Sequence, residues 1–163
     1  VQTALDIALT ENDLAEIKEE LTNSGYIRRR YTKKKVKINN KPLHYISSDG
    51  FHIYVGKNNL QNDQLTFHFA VGNDWWFHAK QAPGSHVIVR TNGAELPDTT
   101  FEEAARLAAY YSSMRGSDKV EIDYVEKKQV KKPGGGKPGF VVYYTNYSMV
   151  IDSNISQIRL CAD

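Results

Sequence analysis

Cysteine is almost absent: Cys161, near the end of the chain, is the only one in 163 residues. A single thiol excludes an intrachain disulfide framework and speaks against an extracellular setting. Long apolar runs are missing too, since no stretch reaches the roughly eighteen apolar residues that a membrane-spanning helix needs. Excess charge of one sign is lacking overall, with a formal net charge of +2. Internal repeats are also missing. No signal peptide is expected. Val1 leads straight into a helical pattern, so the chain reads as a segment of a longer, cytoplasmic protein.

What is present is the composition of one globular domain, 40% hydrophobic and 25% charged. The charge is unevenly spread. Residues 1–25 read as a helical arm with an acidic polar face, carrying Asp6, Glu11, Asp13, Glu16, Glu19 and Glu20 against Lys18. A narrow apolar stripe there suggests the end of a coiled coil. Residues 26–41 reverse sign, with Arg28, Arg29, Arg30, Lys33, Lys34, Lys35, Lys37 and Lys41 and no acid among them. Such a block is either a solvated linker or a segment that meets phosphates. A second acid-free basic block, Lys127 to Lys137, runs into Gly134-Gly135-Gly136.

The expected domain, residues 42–163, is organised around Asp74 to Arg90. Trp75-Trp76-Phe77-His78 precedes a Pro83-Gly84 turn, and Val87-Ile88-Val89 follows it. The pattern predicts strand, turn, strand. Ser48-Asp49-Gly50 predicts a hairpin between strands at 44–47 and 51–55. Across residues 60–70 the spacing of Leu60, Leu65, Phe67 and Phe69 fits strand alternation at the end and helix poorly, which leaves the segment ambiguous. Thr99-Thr-Phe-Glu102 reads as a capping box opening a helix that stops near Arg115-Gly116. Val120, Ile122, Tyr124 and Val130 alternate as a strand, and 140–144 with 148–151 predicts a last hairpin around Asn146. The fold class is α+β: a mixed, mostly antiparallel sheet of about six or seven strands covered by one main helix.

Enzyme chemistry finds little support. His78 and His86 can face each other across the turn, with Asp63 or Asp74 as further ligands, but no dense metal-ligand spacing exists. Ser85 and His86 are adjacent and would point to opposite faces of a strand, so they make no triad. Gly134-Gly135-Gly136-Lys137 lacks the spacing and the following hydroxyl of a nucleotide-phosphate loop. Two basic blocks flanking a sheet rich in tyrosine suit nucleic acid, where Lys and Arg meet phosphates and aromatic faces meet unpaired bases. A soluble domain with a solvated cationic loop and a Tyr-rich core is the alternative.

The ordered motifs Gly56-Lys-Asn-Asn-x-x-Asn-Asp63, Asp74-x-Trp-Phe-His-Ala-Lys80, Pro83-Gly-Ser-His-Val87, Lys131-Lys-Pro133 and Lys137-Pro-Gly139 resemble the NFACT-R domain. This is the C-terminal RNA-binding module of the NFACT, RqcH and fibronectin-binding protein A-like family. The resemblance covers about residues 42–154, and the helix before it resembles the end of the family's coiled-coil arm. It implies a ribosome quality control factor that binds the large ribosomal subunit and tRNA. Such a factor supports mRNA-independent C-terminal alanine tailing of stalled nascent chains. Peptidyl transfer there belongs to the ribosome, so no catalytic residue, metal or cofactor is expected in this segment. The older family label implies a competing reading, a surface adhesin that binds fibronectin.

On the resemblance, Lys57, Lys80, Arg90, Lys131, Lys132 and Lys137 are expected to meet phosphates, with Ser85 beside them in the RNA-binding set. Trp75 or Trp76 would offer a stacking face, the other being core, because strand neighbours face opposite ways. His78 and His86 either donate to RNA or satisfy the turn internally. Asn58, Asn62 and Asp63 would brace their loop, and Pro83 and Gly84 would shape the turn.

Overall fold

A computed structural model of the chain describes residues 41–161. The expected helical arm at 1–25, and the basic linker up to residue 40, lie outside the described residues. Seven strands form one sheet: β1 (Leu43–Ile46), β2 (His52–Val55), β3 (Trp75–Ala79), β4 (Val87–Val89), β5 (Val120–Glu126), β6 (Tyr147–Ile151) and β7 (Arg159–Leu160). Their order across the sheet is β6-β5-β3-β4-β2-β1-β7, and every neighbouring pair is antiparallel. β3 and β4 are the centre. Trp75 lies opposite Val89, Trp76 opposite Ile88 and Phe77 opposite Val87.

Alternation of side chains along these strands builds two cores. Phe77, Ala79, Val87, Val89, Ile53, Val55 and Ile122 face the main helix, α2 (Asp98–Tyr110). That helix presents Ala104, Ala105, Leu107, Ala108 and Ala109, and its alanines bring it close to the sheet. Fully burying each large aliphatic chain here contributes about 1.5–3 kcal/mol. Trp76, Ile88 and Val125 face the other way and pack with Leu65, Ala70 and Val130.

Polar bonds fix the first turn of α2. The buried Glu103 carboxylate accepts from the Ser48 N–H at 2.7 Å and the Ser48 hydroxyl at 2.5 Å. Thr100 Oγ1 donates to Asp49 Oδ2 at 2.8 Å. The capping box therefore does not form. The helix starts two residues earlier, with Pro97 rather than Thr99 at its N-cap and no side-chain cap, and its polar residues hold the β1–β2 turn instead.

Other expectations need correction. Residues 59–69 are helical: α1 (Asn59–Gln64) runs directly into a π-helical turn, Leu65–Phe69. Its amide-rich surface hid the period. The predicted partner strand at 140–144 is absent. A single bridge, Lys131 to Val142, ties that segment down, and β6 pairs with β5. Val130 lies beyond β5, after a 3-10 turn at Lys127–Gln129. The two-residue β7 completes the far edge through Tyr45–Leu160 and Ile46–Arg159 pairing.

Candidate nucleic-acid interface

On the Trp76 side of the sheet lies a cleft of about 390 Å³. β3 supplies Trp76 and His78, the β3–β4 connection supplies Gln81 to Gly84, α1 supplies Asn59 and Asn62, and the 139–143 segment closes the rim. His86 sits at the base, 2% exposed. The two histidines do face each other, with ring centroids 5.5 Å apart and planes perpendicular.

Bonds from three elements lock His86. Its backbone N–H donates to Asn62 Oδ1 at 3.0 Å. Its Nε2–H donates to the Gly139 carbonyl at 3.2 Å, so Nδ1 is the acceptor for the Thr66 hydroxyl at 2.7 Å. Thr66 reaches it from the π-helical turn. Burial, with His78 as a second cause, pushes the His86 pKa down to about 3. His78 Nε2–H donates to the Gly84 carbonyl at 3.2 Å, and burial again lowers its pKa, partly offset by that bond. Both rings are therefore neutral near pH 7.

Asn58 caps α1, accepting from the Gln61 N–H at 2.9 Å. Two glycines are fixed by packing. A Cβ on Gly56 would fall 2.0 Å from Asn62 Oδ1, and one on Gly84 would meet Ser112 Cβ at 3.0 Å. Pro83 shapes the same turn, its carbonyl accepting from the Ser113 N–H at 2.9 Å. Gln81, though not glycine, takes φ +53° at the cleft wall, a conformation costing about 1–3 kcal/mol that clusters at functional sites.

The glycine-rich loop is pinned to α1 through Asp63. Its carboxylate accepts from Lys132 Nζ at 2.8 Å and from the Gly139 N–H at 3.3 Å. Tyr143 lies against Trp76, ring centroids 5.0 Å apart, and its hydroxyl donates to Asp123 at 2.7 Å. Burial and that carboxylate both raise the Tyr143 pKa.

The remaining predicted residues are scattered. Lys131 and Lys137 are exposed on the glycine loop, their ammonium groups without an acidic partner among the described residues. Lys80 is exposed and pairs loosely with Glu121 at 3.4 Å. Arg90 lies 3.0 Å from the buried Asp74 carboxylate and 4.5 Å over the Phe69 ring, so its charge is engaged within the domain. The placements of Lys57 and Ser85 correct the sequence reading. Lys57 is only 4% exposed and Ser85 only 1%, which leaves neither a face for phosphate. Trp76 is the core tryptophan. Trp75 is partly exposed, but on the α2 side against Phe101 and Tyr124, away from the cleft. No spacing rule shows the Asn62–His86 and Asp63–Lys132 links, which join distant segments.

Among the described residues no group of three His, Cys, Asp or Glu side chains could hold a metal ion. No helix among them is long and apolar enough to cross a membrane. A neutral, aromatic cleft bordered by a cationic loop, on a single antiparallel sheet, defines a binding module. Residues 41–144 match the family model described as the NFACT protein RNA binding domain. The chain belongs to that family. Two curated relatives called "Rqc2 homolog RqcH" are similar along most of the chain. The one from Streptococcus suis is 47% identical over 144 residues, covering 86% of this chain and 26% of its own length. The one from Bacillus subtilis is 44% identical over 142 residues, 85% of this chain and 25% of its own. The chain thus spans about a quarter of these relatives. A solved structure of the C-terminal part of a fibronectin/fibrinogen-binding protein from Streptococcus suis matches with TM-score 0.77 and 41% identity. That match covers 94% of this chain and 63% of the other.

Proposed function

We propose that this domain is the RNA-binding module of a ribosome quality control factor. The observation that carries the reading is the pairing of two exposed, acid-free lysines, Lys131 and Lys137, with a neutral aromatic cleft on the same loop, in a chain of an RNA-binding family. Phosphates meet the lysines, with Lys80 as a further contact on release from Glu121. Within the longer protein, the partners are tRNA and ribosomal RNA of the large subunit. The factor's role there is mRNA-independent alanine tailing of stalled nascent chains. Nothing in the cleft calls for a reaction of its own: both histidines are neutral and bonded to backbone carbonyls, and peptidyl transfer is left to the ribosome.

The test is fluorescence anisotropy of the chain with labelled tRNA and duplex RNA across a salt series. Binding should weaken steeply with salt. The Lys131→Ala/Lys137→Ala variant should flatten the log–log slope by roughly one unit per lost contact at most. Folded protein that binds neither RNA would refute the reading. A second reading, fibronectin binding, is favoured only by the name that the solved relative carries. Capture of the folded chain on immobilised fibronectin, with no RNA binding, would move the assignment there.

A further inference from the structure

We propose that the 390 Å³ cleft is a receptor for one unstacked nucleobase, entered edge-on and held between Phe140 and Tyr143 on one side and Gln81 on the other. This rests on the RNA-binding reading and adds to it the part of the nucleotide that is recognised. Four observations carry it.

The volume lies within the range of small-ligand sites, roughly 300–1,000 Å³. No side chain lining the cleft is formally charged, and its two histidines are held neutral. A phosphate or carboxylate would find no counter-charge inside, whereas a base is neutral. The charge complement for the attached phosphate stands just outside, at Lys137, two residues before Gly139 on the rim. Finally, the cleft offers part-exposed aromatic faces at Phe140 and Tyr143, with the buried Trp76 ring backing Tyr143 at a centroid distance of 5.0 Å.

Aromatic walls and amide side chains are the chemistry by which unpaired bases are taken up: rings stack on either face, and amides read the edge. The histidines are positioning residues here. His86 joins α1, β4 and the 139–143 rim, so the walls keep their spacing.

The experiment is NMR on the 15N-labelled chain carrying Trp75→Phe, which leaves Trp76 as the one indole N–H signal. Adenosine and uridine at millimolar concentration are compared with ribose 5-phosphate, and then with a single-stranded RNA oligonucleotide. The nucleosides and the oligonucleotide should both move the Trp76 signal, and ribose 5-phosphate should not. Phe140→Ala and Gln81→Ala should weaken nucleoside binding about fivefold or more. Movement by ribose 5-phosphate alone would overturn the base assignment. So would RNA binding by anisotropy with an unmoved Trp76 signal, and in that case the RNA reading would stand. Nucleoside binding without RNA binding would uphold the cleft's ligand class and sink the RNA reading. A folded chain that binds neither would sink both.

Discussion

Acid should loosen this domain through His86. The ring is buried and bonded as the neutral tautomer, with its pKa lowered to about 3 in the folded chain. An unfolded chain takes up the proton near pH 6.5. Between those values the unfolded state binds more protons, so stability rises with pH. The contribution is full above about pH 6.5 and is lost progressively as pH falls toward 3. From pH 7 to pH 5 the loss from His86 alone is about 2 kcal/mol, at 1.36 kcal/mol per pKa unit. His78, shifted the same way, adds to it. Asp152, whose pKa is lowered chiefly by the Asn154 backbone N–H, acts only below the carboxylate range and leaves this window clear. Urea unfolding at pH 7, 6 and 5, followed by tryptophan fluorescence, measures the slope. His86→Gln removes the titrating group and should give a flatter line from a lower starting stability. Parallel lines for the two proteins would refute the argument that His86 is buried neutral.

Two further outcomes follow from the packing. Gly56→Ala places a methyl 2.0 Å from Asn62 Oδ1 and breaks its bond to His86, so it should cost about 2 kcal/mol or more in thermal unfolding. Gly93→Ala, at φ +83° but in open space, should cost only about 1 kcal/mol of backbone strain, and an equal loss at both sites would refute the clash. Asp74→Ala removes the buried acceptor of the Val71 and Thr91 N–H groups and strands Arg90. Chemical denaturation should show a loss of about 3–5 kcal/mol. A loss under 1 kcal/mol would mean that Arg90 is free for RNA.

The sheet was legible in the sequence where period and turn chemistry agreed. Asp49-Gly50 marked the first hairpin, and the alternation Trp75-Trp76-Phe77 put the two tryptophans on opposite faces while leaving open which of them is core. His78 and His86 met because register follows from strand pairing. Failures arose where distant contacts overrode local signals. Thr100 and Glu103 serve the β1–β2 turn rather than a helix cap. Asn58 and Asn62 looked like part of a polar loop, yet the Asn58 amide caps α1 and the Asn62 amide reaches His86. Val141 and Tyr143 looked like strand residues because packing against Trp76 asks for the same side chains that a sheet does. Lys57 read as a surface charge, since charge alone does not reveal the fold around it.

β5 and β6 are hydrogen-bonded neighbours, from Val120–Ile151 to Tyr124–Tyr147. A hairpin between them needs only about two to five residues. The chain spends the whole run 127–146 instead, and that run supplies the lysines, the pinned loop and the rim of the cleft. The sheet and the candidate binding surface are therefore structurally separable. This segment can lengthen, shorten or change its charge while both its ends stay stitched into the same ladder, so ligand preference can drift without reopening the fold.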